Sequence, residues 1–79
     1  MKAKVEVFLK PGVLDVQGKA IEGALHGLGF ADVSHVRVGK TIEFDLDAAD
    51  KAEAEAELKA MAERLLANTV IEGYRVEVD

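Results

Sequence analysis

The chain has 79 residues, enough for one domain over residues 1–79, and a chain so short buries only about 60% of its unfolded surface. It has no cysteine to cross-link it and twelve of its apolar residues are alanines, which leaves oligomerisation as the usual way to enlarge so small a core. Fifteen acidic against ten basic residues, with no basic stripe interleaved with aromatics, argue against nucleic acid as a partner. No run is long enough to span a membrane, and Glu6 and Lys10 interrupt any export signal after the basic start. A soluble, cytoplasmic protein is expected.

Ala3, Val5, Val7 and Leu9 alternate with Lys4, Glu6 and Phe8, which predicts a first strand over 3–9. Lys10-Pro11-Gly12 then reads as a type II turn, with Pro presetting one φ and Gly taking a positive one. Asp15 is placed to cap a helix over 16–28 whose apolar stripe is Ile21, Ala24, Leu25 and Leu28, with Gly29 closing it. Gly18, Gly23 and Gly27 lie inside this helix and weaken it by about 1 kcal/mol each relative to Ala. Gly23 and Gly27 with Ala20 leave one side nearly bare. That side belongs either to a weak helix or to a backbone packed closely on another element or subunit.

From Ser34 to Leu46 the apolar residues Val36, Val38, Ile42, Phe44 and Leu46 all fall on even positions. A two-residue hairpin at Gly39-Lys40 would turn half of them to the opposite face. One extended strand over 33–46 keeps them together, and at ~3.3 Å per residue it runs roughly 40 Å, longer than a globule of this size is wide. A second subunit is then needed to cover half of it. Val36, Val38, Lys40, Ile42, Phe44 and Leu46 are therefore the expected self-association residues, in a dimer or tetramer, with Lys40 at the midpoint.

Asp50 and Glu53 open a second helix over 50–67, with Ala54, Leu58, Met61, Ala62 and Leu65 inward and Asn68 ending it in a left-handed conformation. After a bend at Gly73, Tyr74, Val76 and Val78 alternate in a last strand over 74–78. The fold expected is α+β: βαβαβ with a long middle strand, an antiparallel sheet covered by two helices, and an intertwined oligomer.

The search for reactive groups finds little. Ser34 and His35 are adjacent on a strand and point to opposite faces. Thiolate chemistry is excluded without cysteine. His26 and His35 have no metal-ligand spacing, and the carboxylates are scattered over wet faces. No glycine-rich phosphate loop is present, and Pro11-Gly12-Val13 before the first helix reads as a plain turn. No catalytic, metal or cofactor residues are assigned. Phe8, on the outer side of the first strand, and Arg37, on the polar side of the long one, are candidates for partner contacts.

Three runs carry a resemblance. Leu9-Lys10-Pro11-Gly12-Val13-Leu14-Asp15 with Gln17-Gly18-Lys19-Ala20-Ile21, then Val36 to Glu43, then Leu65 to Glu72, resemble in order the signatures of the PurS family. Val16 and Thr69 stand where that family usually has proline, and Gly73 where an acidic residue is common. The resemblance implies the small subunit of phosphoribosylformylglycinamidine synthase in purine biosynthesis. It implies an adaptor without catalytic residues that bridges a glutaminase subunit, PurQ, and a synthetase subunit, PurL, and assists ammonia transfer. ATP, magnesium and glutamine would be used by those partners. Two other readings stay open: a ferredoxin-like or ACT-like small-molecule regulatory module, which needs Gly39-Lys40 to turn, and a small enzyme with a site shared between subunits.

Overall fold

A computed structural model describes all residues, 1–79. Strand β1 (Lys2–Leu9) leads to helix α1 (Val16–Gly27), strand β2 (Gly39–Asp45), helix α2 (Lys51–Met61), a π-helical turn (Ala62–Leu66) and strand β3 (Glu72–Val78). The sheet is antiparallel in the order β2-β1-β3, so the first strand is central. Lys40 pairs with Val7 and Gly39 with Phe8, inside the ladder. Gly39-Lys40 therefore does not turn, and Ile42, Phe44 and Leu46 share one face.

That face is the core. Ala3, Val5, Val7 and Val78 are buried under Ala54, Leu58 and Ala62 of the second helix and its π turn, with Ala67 beside them. Asp50 starts α2 by accepting from the Glu53 amide at 2.8 Å, satisfying one of the amides that a helix start leaves free. The opposite face of the sheet is a charge lattice: Lys2 meets Asp45, Lys4 meets Glu43 and Glu77, and Arg75 meets Glu6. Alternation along the strands separates the two faces.

Several expected details differ. The ladder of β2 begins at Gly39, and His35, at φ 55°, breaks the extended run that the alternation suggested from 33. The Lys10–Val13 turn closes with a 2.9 Å bond from the Val13 amide to the Lys10 carbonyl, but Gly12 has no positive φ, so it is not type II. Gly29 does take one, at 100°, where α1 ends. Asn68 does not: its side chain accepts from the Val70 amide at 3.2 Å and its carbonyl receives the Ile71 and Glu72 amides. The π turn swings Leu65 outward to 83% exposure, because its wider bonding pattern shifts the helix face. Gly73 is no bend. It pairs with Phe8 inside β3, and the Phe8 ring lies where a side chain would stand.

The largest departure concerns α1. Only α2 lies broadly on the sheet; α1 stands off its end and makes no extensive contact with the sheet or α2. The molecule measures 50 × 25 × 14 Å with a radius of gyration of 15.9 Å, against about 12 Å for a compact chain of this length. Leu14, Val16, Ile21, Leu28 and Phe30 are exposed in consequence. Within the chain nothing approaches Gly23 or Gly27, whereas a Cβ on Gly18 would strike the Val36 carbonyl oxygen and the Asp15 carboxyl. Close packing thus falls on Gly18 and not on the glycines of the bare side. Gly23→Ala should raise stability by up to about 1 kcal/mol, through helix propensity alone. Gly18→Ala should lower it despite the same propensity gain. Denaturant unfolding of the two variants checks the contrast.

Candidate functional site

The region that gathers most of the singled-out residues is β2, the segment leading into it, and α1 beside that segment. Met1 and Leu46 exchange both backbone bonds, at 3.0 and 2.9 Å. In an antiparallel ladder such pairs alternate, so the even-numbered amides of β2 turn toward β1 and those of Thr41, Glu43 and Asp45 turn away from the sheet. Nothing in the chain pairs with that outer edge, since β2 is the edge strand.

Val36, Val38, Ile42, Phe44 and Leu46 are each half-buried, and Lys40 is exposed. Their remaining surface opens on two sides. Ile42, Phe44 and Leu46 line an open groove of about 670 Å³ with Met61, Leu65 and Leu66. Phe44 therefore lacks the full cover that a core aromatic would have. Val36 and Val38 lie against α1 instead. The structure does not draw the six residues into one closed cluster; it spreads them along one strand line between two uncovered apolar surfaces.

Phe8 and Arg37 line one cavity of about 520 Å³ with Asp15, Glu22 and Val36. Phe8 lies half-buried on the outer face of the sheet with the Arg75 guanidinium 4.7 Å from its ring centre, a cation–π contact. Arg37 is exposed and donates to the Lys10 carbonyl at 3.1 Å.

The sequence reading missed Asp15 and Glu22 as strand contacts. Asp15 is 4% exposed and accepts from the Gly18 amide and, through its second oxygen, from the Val38 amide, both at 2.7 Å. Glu22 accepts from the Val36 amide at 3.2 Å, and Lys19 stands 3.9 Å away. The Val38 and Gly18 amides hold the Asp15 carboxyl below its ordinary value, with Arg37 adding to the effect. The Val36 amide chiefly does the same for Glu22. Only the capping position of Asp15 was legible in advance, because the second acceptor role depends on a segment 23 residues away.

His26 Nε2 lies 2.7 Å from the Val33 carbonyl, not beside a hydroxyl. Tyr74 does acquire a neighbour unforeseen from sequence, Glu63 of the π turn. Burial first, and then Glu63, push its hydroxyl above the ordinary value of 10.0.

Because Asp15 is depressed in the folded state, its stabilising contribution is complete above its ordinary value of 3.8 and is lost as pH falls through the lower folded value. Asp15→Asn should be less stable than the parent near neutrality. The difference should shrink progressively below about pH 4, which denaturant midpoints measured across the acidic range would read out.

The family model for PurS, phosphoribosylformylglycinamidine (FGAM) synthase, matches residues 2–79. The phosphoribosylformylglycinamidine synthase subunit PurS of Bacillus subtilis is 47% identical over 78 residues, 99% of this chain and 92% of the relative. The crystal structure of PurS from Methanocaldococcus jannaschii, a subunit of formylglycinamide ribonucleotide amidotransferase, is 37% identical and superposes with a TM-score of 0.90 over 99% of this chain and 94% of that one. A chain of the PurLQS structure from Thermotoga maritima is 33% identical, with a TM-score of 0.87 over 96% and 93% of the two chains.

Proposed function

This chain belongs to the PurS family, and we propose that it is the small, non-catalytic subunit of a phosphoribosylformylglycinamidine synthase. In that role it bridges the glutaminase and synthetase subunits and assists the passage of ammonia between them. ATP, magnesium and glutamine are handled by those partners, and the complex works in the cytoplasm. The observation that carries the reading is structural incompleteness: the fold leaves a free strand edge, an apolar groove and an apolar helix face. Each of these needs another chain to cover it. The PurLQS assembly supports the identity of the larger partners.

The first other chain is a second copy. Antiparallel pairing of two β2 edges uses the amides of Thr41 and Glu43, which face outward. A twofold axis at Lys40, the midpoint of the apolar run, would set two ammonium groups opposite each other, and like charges so placed are destabilising. An axis at Thr41 sets Lys40 opposite Ile42, Val38 opposite Phe44, Val36 opposite Leu46, and Arg37 opposite Asp45. That pairing also brings the α1 end of one copy to the groove end of the other. The two uncovered apolar surfaces then share one interface.

Two results follow. With purified glutaminase and synthetase subunits, glutamine-dependent amidine formation should fall when this chain is omitted. The ammonia-dependent reaction should fall less, and the chain alone should hydrolyse neither glutamine nor ATP. Equal glutamine-dependent rates with and without it would refute the adaptor role. Co-purification in the presence of glutamine and ADP tests the assembly itself.

For the register, Arg37→Glu should weaken the dimer several-fold, since each cross-strand ion pair contributes roughly 0.2–1 kcal/mol and occurs twice. Adding Asp45→Lys should restore it. Restoration by Glu43→Lys instead would move the axis back to Lys40, and sedimentation equilibrium distinguishes the two.

A further inference from the structure

We infer that Asp15 and Glu22 are positioning residues that stand in for a missing strand, holding residues 36–38 in line with β2 so that its outer edge runs unbroken from Arg37 to Asp45. The inference rests on the self-pairing of β2 set out above and adds what fixes the length of the paired edge.

The ladder between β1 and β2 ends at Phe8 and Gly39, because β1 turns away at Lys10–Val13. Even-numbered amides of the strand line face the β1 side. Beyond Gly39 the amides of Val38 and Val36 have no partner in β1, and unpaired strand amides neither hold a line nor tolerate burial. The two carboxylates take these amides in turn, at 2.7 Å from Asp15 and 3.2 Å from Glu22. Farther along, His26 Nε2 meets the Val33 carbonyl at 2.7 Å. As the strand is followed backward from 38 to 33, its partners advance along α1 from 15 to 26. The helix thus runs antiparallel to the segment, in the position a strand would occupy.

Gly18, between the two acids, makes the approach possible, since its missing side chain admits the Val36 carbonyl. Past this stretch, the left-handed His35 ends the line. The charged groups facing the pair are Lys19 and His26 on α1 and His35 and Arg37 on the segment. All four favour the ionised carboxylates. Ionised acceptors make stronger hydrogen bonds than neutral ones.

The geometry separates two readouts in one experiment. Even-numbered amides report the clamp and odd-numbered ones report pairing with the second copy. Residue-resolved hydrogen exchange on the full chain should show Val36 and Val38 protected in the parent. Glu22→Ala should speed exchange at Val36 by about tenfold to a hundredfold, as expected for loss of one hydrogen bond to a charged group. Ile42 and Phe44, bonded to β1, should be unaffected. Glu22→Gln keeps an acceptor oxygen and should restore most of the protection. The same Glu22→Ala protein should dissociate more readily in sedimentation and lose protection at Arg37 and Gly39.

Unchanged exchange at Val36 in Glu22→Ala would overturn the clamp. So would faster exchange there with dimer affinity unaltered, since the held segment would then contribute nothing to pairing. A parent protein with unprotected Thr41 and Glu43 that sediments as a monomer would overturn the self-pairing itself, a failure distinct from that of Val36.

Discussion

The central position of β1 organises the whole molecule. Its odd-numbered residues bond β2 and its even-numbered residues bond β3, a division fixed by the Met1–Leu46 exchange on one side and the Asp79 amide to Lys2 carbonyl bond on the other. The same alternation sends Ala3, Val5 and Val7 beneath α2 and Lys4, Glu6 and Phe8 to the charged face. With β1 saturated on both edges, every further backbone contact has to be made at the outer edges of β2 and β3. The outer edge of β2 is the one aligned with an uncovered apolar groove.

Small size gives that arrangement its consequence. One helix of eleven residues and a short π turn cannot cover a three-stranded sheet and also a second helix. The inner face is therefore closed over β1 and Val78, and half-open over Ile42, Phe44 and Leu46. Apolar surface left in water at both ends disfavours the isolated chain by the ordinary hydrophobic argument, and association removes it.

Electrostatics has a narrower part. The ion pairs on the outer sheet face are exposed and contribute little individually. The carboxylates on α1 do something different, because they accept backbone amides at a place where the sheet has run out of strands. Gly18 belongs to the same device as Asp15 and Glu22. Its missing side chain admits the Val36 carbonyl.

Periodicity and a few special residues made much of this legible in advance. The even parity from Val36 to Leu46 argued against a two-residue hairpin at Gly39-Lys40, which would flip half of the apolar set, and the β1–β2 ladder settled that the segment stays extended. Asp15, Gly29 and Asp50 marked helix ends through capping chemistry that acts over three or four residues. The three PurS-like runs pointed to the family. What lay beyond reach were contacts that depend on distant segments: α1 leaving the sheet, Leu65 turned out by a π turn, His35 in a left-handed conformation, and Gly73 under the Phe8 ring. Asn68 was expected to turn left-handed at the end of α2, whereas the positive φ of a non-glycine residue falls on His35 before β2, because propensity ranks residues without knowing where the backbone must bend. The sequence by itself determined which residues share a face and where helices begin, because those follow from local geometry. Only the tertiary structure decided which amides remain free and which carboxylates receive them, because hydrogen-bond pairing is settled by where separate segments meet in space.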